Sequence, residues 1–421
     1  MKKRIFLSLI LILSLLLTGC SIGGEMSNLL TPPTMSVGRE ALTKAIKSVI
    51  GDKYELVYPQ AGSYRTGIIS VDLNGDNVVE AVCFYQSGGK LSFLVMEQKD
   101  GGWTLLGKAT SEAASVGRVA FGDMDADGVA EIVVGWQYLT DSEGSYDVYS
   151  LHSGKAESRY TGLYSRFVMM ESTPSRLMVM TRNSTTKSVT ASLIGLIDEN
   201  IGLVNTVAMY GRTTDYLAIA PGKAHDGRDA VYVDGLLENG QAMTEVLAVN
   251  EQGQLTNELL NMPEVSTMRY TAVTCKDVNK DGVPEIPTEE ALPGYLRNGV
   301  DENLYLVHWN SYDGKGLSTV SRSFVDTTEQ FSVDFPEDWF GEVTVERSEA
   351  TSRSFEFKTE DGNLLFTVRV FGMSEYSDEI SATGWRRLHE DSDHVYAVYC
   401  EPENPMGVNY QRVYGLFSVI S

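Results

Sequence analysis

Three segments of this chain carry the same nine-residue acidic loop between apolar stretches, and their spacing constrains the fold more than any other feature. The loops are Asp72-Leu73-Asn74-Gly75-Asp76-Asn77-Val78-Val79-Glu80, Asp123-Met124-Asp125-Ala126-Asp127-Gly128-Val129-Ala130-Glu131 and Asp277-Val278-Asn279-Lys280-Asp281-Gly282-Val283-Pro284-Glu285. Each reads D-x-[ND]-x-D-[GN]-x-x-E, entered by an apolar strand and, in the first two, left by another. Weaker copies fall at 171–180 and 225–233, where a period near 51 residues places them. The acidic or polar residue that precedes each second strand is then Glu80, Glu131, Arg176, Asp229 or Glu285. Every unit also carries a turn further on: Asp100-Gly101, Ser153-Gly154, Asp198-Glu199, Gln252-Gly253 and Asp313-Gly314, flanked by alternating apolar residues. The unit is strand, acidic loop, strand, strand, tight turn, strand. Four antiparallel strands repeated at about 50 residues is the arithmetic of a propeller blade. The expected fold is mainly β: a β-propeller of about five four-stranded blades over 64–327, followed by a small α+β domain over 328–421. The blades are expected at 64–113, 114–162, 163–212, 213–265 and 266–327.

The loop has a definite chemistry. Positions 1, 3 and 5 place oxygen side chains on one side of a tight turn, position 7 offers its backbone carbonyl, and position 9 adds a carboxylate. Hard oxygen donors and clustered negative charge suit Ca2+, and nothing here supplies the nitrogen or sulfur that zinc or copper selects. An EF-hand needs an acid at position 12 and a helix leaving the loop. Position 12 is Cys83, Val134 or Thr288, and the exits are β-branched and aromatic. Phe121-Gly122-Asp123-Met124-Asp125-Ala126-Asp127-Gly128-Val129-Ala130-Glu131-Ile132-Val133-Val134-Gly135 resembles an FG-GAP or VCBS repeat, the blade of integrin-α-like propellers. That resemblance implies a propeller whose loops hold calcium on the face away from the ligand surface. Up to three Ca2+ sites follow from it: Asp72, Asn74, Asp76, the Val78 carbonyl and Glu80; Asp123, Asp125, Asp127, the Val129 carbonyl and Glu131; Asp277, Asn279, Asp281, the Val283 carbonyl and Glu285. The third and fourth units lack the ligands. Pro284 and Pro287 bracket the third loop and are expected to make its exit strand short or irregular.

The first twenty residues address the compartment. Lys2, Lys3 and Arg4 precede an apolar run over 5–17, too short for a spanning helix and flanked as a signal peptide is. The run ends in Leu17-Thr18-Gly19-Cys20, which resembles the lipobox of bacterial lipoproteins. The resemblance implies removal of 1–19, lipidation of Cys20, and membrane attachment through the lipid on the extracytoplasmic face. Residues 20–35, polar and rich in glycine and proline, read as a flexible tether. The whole chain carries 34 basic and 57 acidic residues, a net charge of -23. Such a balance excludes sequence-independent nucleic-acid binding and adhesion to anionic lipid through a basic face.

Residues 36–63 read as a short amphipathic helix with its lead-in, Ser36 as N-cap and Val37, Ala41, Ala45, Ile46 and Val49 on one face. Beyond Cys20 the cysteines are Cys83, Cys275 and Cys400, too widely spaced for a zinc site; inert thiols are expected, with a Cys83–Cys275 bridge the alternative. In the C-terminal part, strands are expected near 343–347, 353–358 and 364–371, with a helix after Ser374. His389 and His394 stand five residues apart, the wrong spacing for a helical zincin pair, and read as a charged loop. No catalytic fingerprint occurs. The aromatic residues Trp103, Trp136, Tyr138, Tyr146, Tyr149 and Trp309 read mostly as strand packing. The expected function is a non-catalytic, calcium-stabilised surface module that binds a protein or glycan. The alternatives are an envelope hydrolase or lyase of wall polymers on the same scaffold, and an accessory lipoprotein of a membrane complex.

Overall fold

The computed structural model describes residues 37–420 apart from 140–142, 153, 171, 184, 261, 263–264, 294–303, 349–350 and 352. The signal segment, Cys20, the tether and Ser36 lie outside the described residues. Alternating apolar residues build six antiparallel sheets. In the first, Glu55–Leu56 and Ile68–Val71 share one edge of Glu80–Ser87, followed by Lys90–Lys99 and Gly102–Ser111. The second comprises Ser115–Gly122, Glu131–Gln137, Gly144–His152 and Lys155–Tyr164. The third comprises Arg166–Met170, Arg176–Arg182, Val189–Ile197 and Asn200–Met209. The fourth comprises Thr213–Lys223, Asp229–Leu237, Ala242–Val249 and Leu255–Asn257.

The units repeat in detail. The turns at Asp100-Gly101 and Asp198-Glu199 hold positive φ at both residues, +52° and +77°, then +46° and +64°. That is the type I′ geometry whose twist matches the flanking strands. A break in register recurs in the hairpin that carries the tight turn of four sheets, after Val95, Val148, Leu193 and Trp309. Such bulges sharpen the twist at one place in each sheet. Gly135 meets another local demand: a Cβ there would collide with Tyr164, whose hydroxyl accepts from Gln137 Nε2 at 3.0 Å. Gly135→Ala is expected to cost about 1–3 kcal/mol by overpacking. Tyr164→Phe in that background should restore part of the loss, measured by urea denaturation.

Period-2 alternation gives every strand two faces, and cores form in series between them. Val82, Phe84, Phe93 and Val95 of the first sheet pack with Ile132, Val134 and Trp136 of the second. Val133, Tyr146 and Val148 on the other face of the second meet Leu177, Val179 and Ile194 of the third. Met178, Met180 and Leu193 then meet Val231, Val233 and Leu247 of the fourth. Ala230, Tyr232 and Val246 meet Ile286 and Tyr312 of the fifth. Helix α1 (Val37–Ile50) covers the remaining face of the first sheet, burying Leu42 and Ile46 against Ala81, Cys83, Leu94 and Met96. Each such side chain contributes about 1.5–3 kcal/mol. Ala45, Ile46 and Val49 of the expected face do pack on the sheet, Ala45 and Val49 partly buried, while Ala41 is exposed and Leu42 is buried beside them. Among the described residues no hydrophobic core joins the first sheet to the fifth. The helix occupies the face that a closing ring would bring to the last sheet.

The fifth sheet departs from the others on both edges. It runs Ile286–Ala291, Tyr305–Tyr312, Leu317–Asp326, Phe331–Asp334 and Phe417–Val419. Its inner segment makes a single bridge, Lys276 to Glu285, where the first sheet has a four-pair ladder. The alternation of an antiparallel pair turns the next inward N–H to position 287, and proline has none. The segment is held by a side chain instead: the Glu289 carboxylate accepts from the Tyr270 and Thr271 N–H groups. On the outer edge the expected boundary at 327/328 falls between two hydrogen-bonded strands, Leu317–Asp326 and Phe331–Asp334. Phe324, Phe331, Phe355, Phe357 and Phe366 form one aromatic core across that junction. The sixth sheet is Val343–Arg347, Ser354–Thr359, Leu364–Gly372, His394–Cys400 and Arg386–Glu390, with a five-residue helix at Asp378–Ala382. His389 and His394 lie on adjacent strands of a hairpin rather than in a loop. Cys83, Cys275 and Cys400 are free thiols, which replaces the bridge held as an alternative.

A buried ion pair lies where the fourth sheet meets the fifth, and nothing in the repeat pattern announces it. Arg269 and Asp234 have fully buried side chains joined at 2.7 Å. Arg269 also donates to the Val273 and Thr267 carbonyls, and Asp234 accepts from Thr244 Oγ1 at 2.6 Å and Cys275 N–H at 2.8 Å. Nearby, Glu245 is buried and accepts from Tyr210 N–H and Asn257 Nδ2. Burial pushes its carboxyl above the usual range, against the pull of those two donors. A raised carboxyl holds its proton more tightly in the folded protein. Its contribution is therefore full below the unfolded value of about 4.5 and is lost as pH rises through the folded one. Glu245→Gln is expected to flatten the fall in stability above that pH, read by denaturation at pH 4.5 and 7.

Candidate metal centre

All three acidic loops connect the first strand position of a sheet to its second, so they share one end of the array. They also share one conformation. Positions 4 and 6 have positive φ in every copy: Gly75 and Asn77 at +73° and +65°, Ala126 and Gly128 at +63° and +89°, Lys280 and Gly282 at +65° and +89°. Left-handed backbone at Asn77, Ala126 and Lys280 carries a cost that glycine would not, so the loop bonds must hold it.

Those bonds repeat position by position. The position-9 glutamate accepts from the position-2 N–H: Glu80 from Leu73 at 2.8 Å, Glu131 from Met124 at 2.7 Å, Glu285 from Val278 at 2.8 Å. The position-1 aspartate accepts from the position-6 N–H: Asp72 from Asn77, Asp123 from Gly128, Asp277 from Gly282. Asn74, Asp125 and Asn279 accept from position 5, and Asp76, Asp127 and Asp281 accept from the N–H of Val78, Val129 and Val283. Backbone donors thus curl the chain around its own carboxylates and aim the side-chain oxygens inward. Neighbouring units are stitched at the same end, Ala130 N–H donating to the Leu73 carbonyl and Ser175 N–H to the Asp123 carbonyl.

The second loop gathers its acids most tightly. Oxygens of Asp123, Asp125 and Glu131 lie within 4.8 Å of one another, and among the described residues no other group of three His, Cys, Asp or Glu does so. Asn74 and Asn279 replace the middle acid in the other two loops. Asp123 Oδ1 is buried and accepts no hydrogen bond, while its Oδ2 takes the Gly128 N–H. A buried oxygen without a donor is costly unless a cation faces it. Glu131 is 1% exposed and takes Ser150 Oγ on its second oxygen at 2.9 Å. Burial pushes its carboxyl up to about 7, opposed by the Met124 and Ser150 donors and reinforced by Asp125 and Asp127. Glu80 and Glu285 are raised for the same first cause. An all-oxygen set with excess negative charge and an unsatisfied acceptor fits a divalent hard cation.

The two weaker copies are built differently. The third replaces the acids with Ser172, Thr173, Pro174 and Ser175 and opens its second strand on Arg176. The fourth supplies its own positive charge: Arg228 bonds Asp226 at 2.6 Å and Glu258 at 3.1 Å, and Lys223 bonds Asp229 at 2.5 Å. Of the aromatic residues singled out in the sequence, Trp136, Tyr146, Tyr149 and Trp309 are buried. Trp103 and Tyr138 are half-buried.

No protein-family model matches the chain, and no curated protein matches it by sequence. Solved structures similar to it include a protein from Lactobacillus plantarum at 10% identity and TM-score 0.30, covering 72% of this chain and 84% of that one. The Dos1 propeller is similar at 10% identity and TM-score 0.31 over 70% of this chain and 65% of its own. The exotype rhamnogalacturonan lyase YesX is similar at 10% identity and TM-score 0.32 over 83% and 73%. Likeness at this level carries neither fold nor function from those proteins to this one.

Proposed function

We propose that this chain is a lipid-anchored binding module on the extracytoplasmic face of a bacterial cell membrane, its successive sheets the blades of a calcium-stabilised propeller of the FG-GAP/VCBS kind. One observation carries the metal: three loops far apart in sequence adopt one left-handed, oxygen-rich geometry, and one of them leaves a buried Asp123 oxygen without a donor. Each bound Ca2+ would be held by positions 1, 3, 5 and 9 with the position-7 carbonyl, and would neutralise the clustered carboxylates. The Glu131 carboxylate closes the loop on Met124, so the cation and the Glu80–Ser87-type second strand are coupled through one residue. The anchor reading rests on Leu17-Thr18-Gly19-Cys20. No helix among the described residues is long and apolar enough to cross a membrane.

Two measurements test the proposal separately. Palmitate labelling in a bacterial host should mark the wild-type chain and not Cys20→Ala, and the variant should leave the membrane fraction; equal labelling defeats the anchor. Calorimetric titration with Ca2+ should give heat that Asp123→Ala removes in part, and no heat at millimolar calcium defeats the metal. The partner is a protein or glycan. The raised carboxyls of the loops, Glu80, Glu131 and Glu285, are committed to closing those loops, which supports a structural role for them.

A further inference from the structure

Where Pro287 breaks the inner ladder of the fifth sheet, a cavity of about 830 Å3 opens between the 272–278 segment and the sheet. Its volume is in the range of small-ligand sites. The floor is the sheet face opposite the one packed on the fourth sheet, and its residues follow from register. Ser321 pairs with Trp309, Ser323 with Asp334, and Ser332 with both Val325 and Ser418. At the comparable faces of the second and third sheets stand Val133, Val148, Met178 and Leu193, which fill the space between neighbours. Serine in their place leaves the volume open and lines it with hydroxyls. An apolar void of that size would be costly, whereas a hydroxyl-lined one accepts water or a polar ligand.

Four features define what fits. Trp309 lies in the cavity floor, 7% exposed, its indole held by Nε1 donating to Ser323 Oγ at 2.6 Å. Val273 and Val325 are buried against it, and the partly buried Ile420 completes a narrow apolar edge. Asp334 and Lys276 line the same cavity, and the Lys276 charge acts on the Asp334 carboxyl from across it. With one carboxylate and one ammonium in the same cavity, a strongly charged ligand of either sign is attracted by one group and repelled by the other. A ligand that both donates and accepts hydrogen bonds, and that has an apolar face, satisfies all of these groups together.

We propose that this cavity is a saccharide site: a sugar ring sits over the serine-lined floor with its C–H face toward the narrow apolar edge at Trp309, Val325 and Ile420, and its hydroxyl groups on Asp334, Lys276 and the serines. The assignment rests on the binding-module reading and names its ligand class and its place. The serine ladder supplies further donors and acceptors across the floor, as a polyol edge requires.

The test uses the full chain and four probes: cellotetraose, xylotetraose, chitotetraose and mannotetraose, each titrated by calorimetry and by ligand-detected saturation-transfer NMR. At least one should bind with a Kd of about 10 µM to 1 mM, the range of a small polar site. Asp334→Ala should weaken it about tenfold or more. Ser332→Leu, which fills the floor without removing a core side chain, should abolish it while leaving the melting temperature within a few degrees of wild type. Binding that survives both variants overturns the cavity as the site while keeping the module reading. Absence of binding by all four probes at 5 mM overturns the saccharide assignment and leaves a protein partner for the module. A dimer in light scattering that Ser332→Leu splits also overturns it, because the face is then covered by a second copy.

Discussion

Asp234→Ala should lower the unfolding free energy by about 3–5 kcal/mol, measured by urea denaturation with the slope held constant. The substitution leaves the Arg269 guanidinium fully buried without its carboxylate and strips acceptors from Thr244 Oγ1 and the Cys275 N–H. An unpaired buried charge is among the few single changes able to exceed the usual 0.5–3 kcal/mol. Arg269→Ala should cost a similar amount, since it frees the Val273 and Thr267 carbonyls as well as Asp234. The double variant Asp234→Leu/Arg269→Met should lose far less than the sum of the two, because an ion pair replaced by apolar groups of like volume no longer carries its desolvation penalty. A loss under 1 kcal/mol for Asp234→Ala would mean that the network is hydrated and contributes little. Its position gives the number a wider reach. The Arg269 segment also bridges Ala242 of the fourth sheet, so the pair ties the last regular sheet to the irregular fifth.

The second large effect is metal-dependent. With calcium at a hundred times the dissociation constant, each occupied loop should add about 2.7 kcal/mol to stability, visible as a rise in melting temperature over an EDTA control. Asp123→Ala/Asp127→Ala should remove the largest single share. That loop is the one that gathers three acids and leaves Asp123 Oδ1 without a donor. Asp72→Ala/Asp76→Ala and Asp277→Ala/Asp281→Ala should each remove a smaller part, their third position being asparagine. The same aspartates also anchor the Asn77, Gly128 and Gly282 N–H groups, so each variant should lose some stability in EDTA too. Melting curves unchanged by calcium and EDTA in the wild type would leave the loops as self-capped acidic turns.

The loops were legible because their ligands, turn residues and flanking strands are all local. A nine-residue pattern contains the donors that curl it, so three copies announce the same geometry wherever they sit. Strand boundaries were legible for a related reason: the residue before each second strand and the turn after each third are chemical punctuation, and period-2 alternation links them. The second strands begin at Glu80, Glu131, Arg176 and Asp229, and at Ile286 directly after Glu285. Pro284 and Pro287 pointed to a short or irregular exit strand, yet Ile286–Ala291 pairs in unbroken register with Tyr305–Tyr312, and the ladder that is lost is the one to the entering segment.

What the residues could not disclose is how the units meet. The Asp234–Arg269 pair joins positions 35 residues apart in different repeats, and an isolated acid and base in a chain with 91 charged residues carry no mark of partnership. The helix on the first sheet was recognisable as amphipathic, yet its pattern does not say that it covers Ala81, Cys83 and Leu94. That paired strands flank 327/328 was equally hidden, because Phe331–Asp334 and Phe417–Val419 pair across a long stretch of chain, and strand pairing at that separation depends on which edge is left open. The serine-lined cavity is of the same kind: its floor comes from four strands and its wall from a fifth segment. Local hydrogen bonding and alternation are written in consecutive residues, while the burial of one face against another is a property of the assembled sheets.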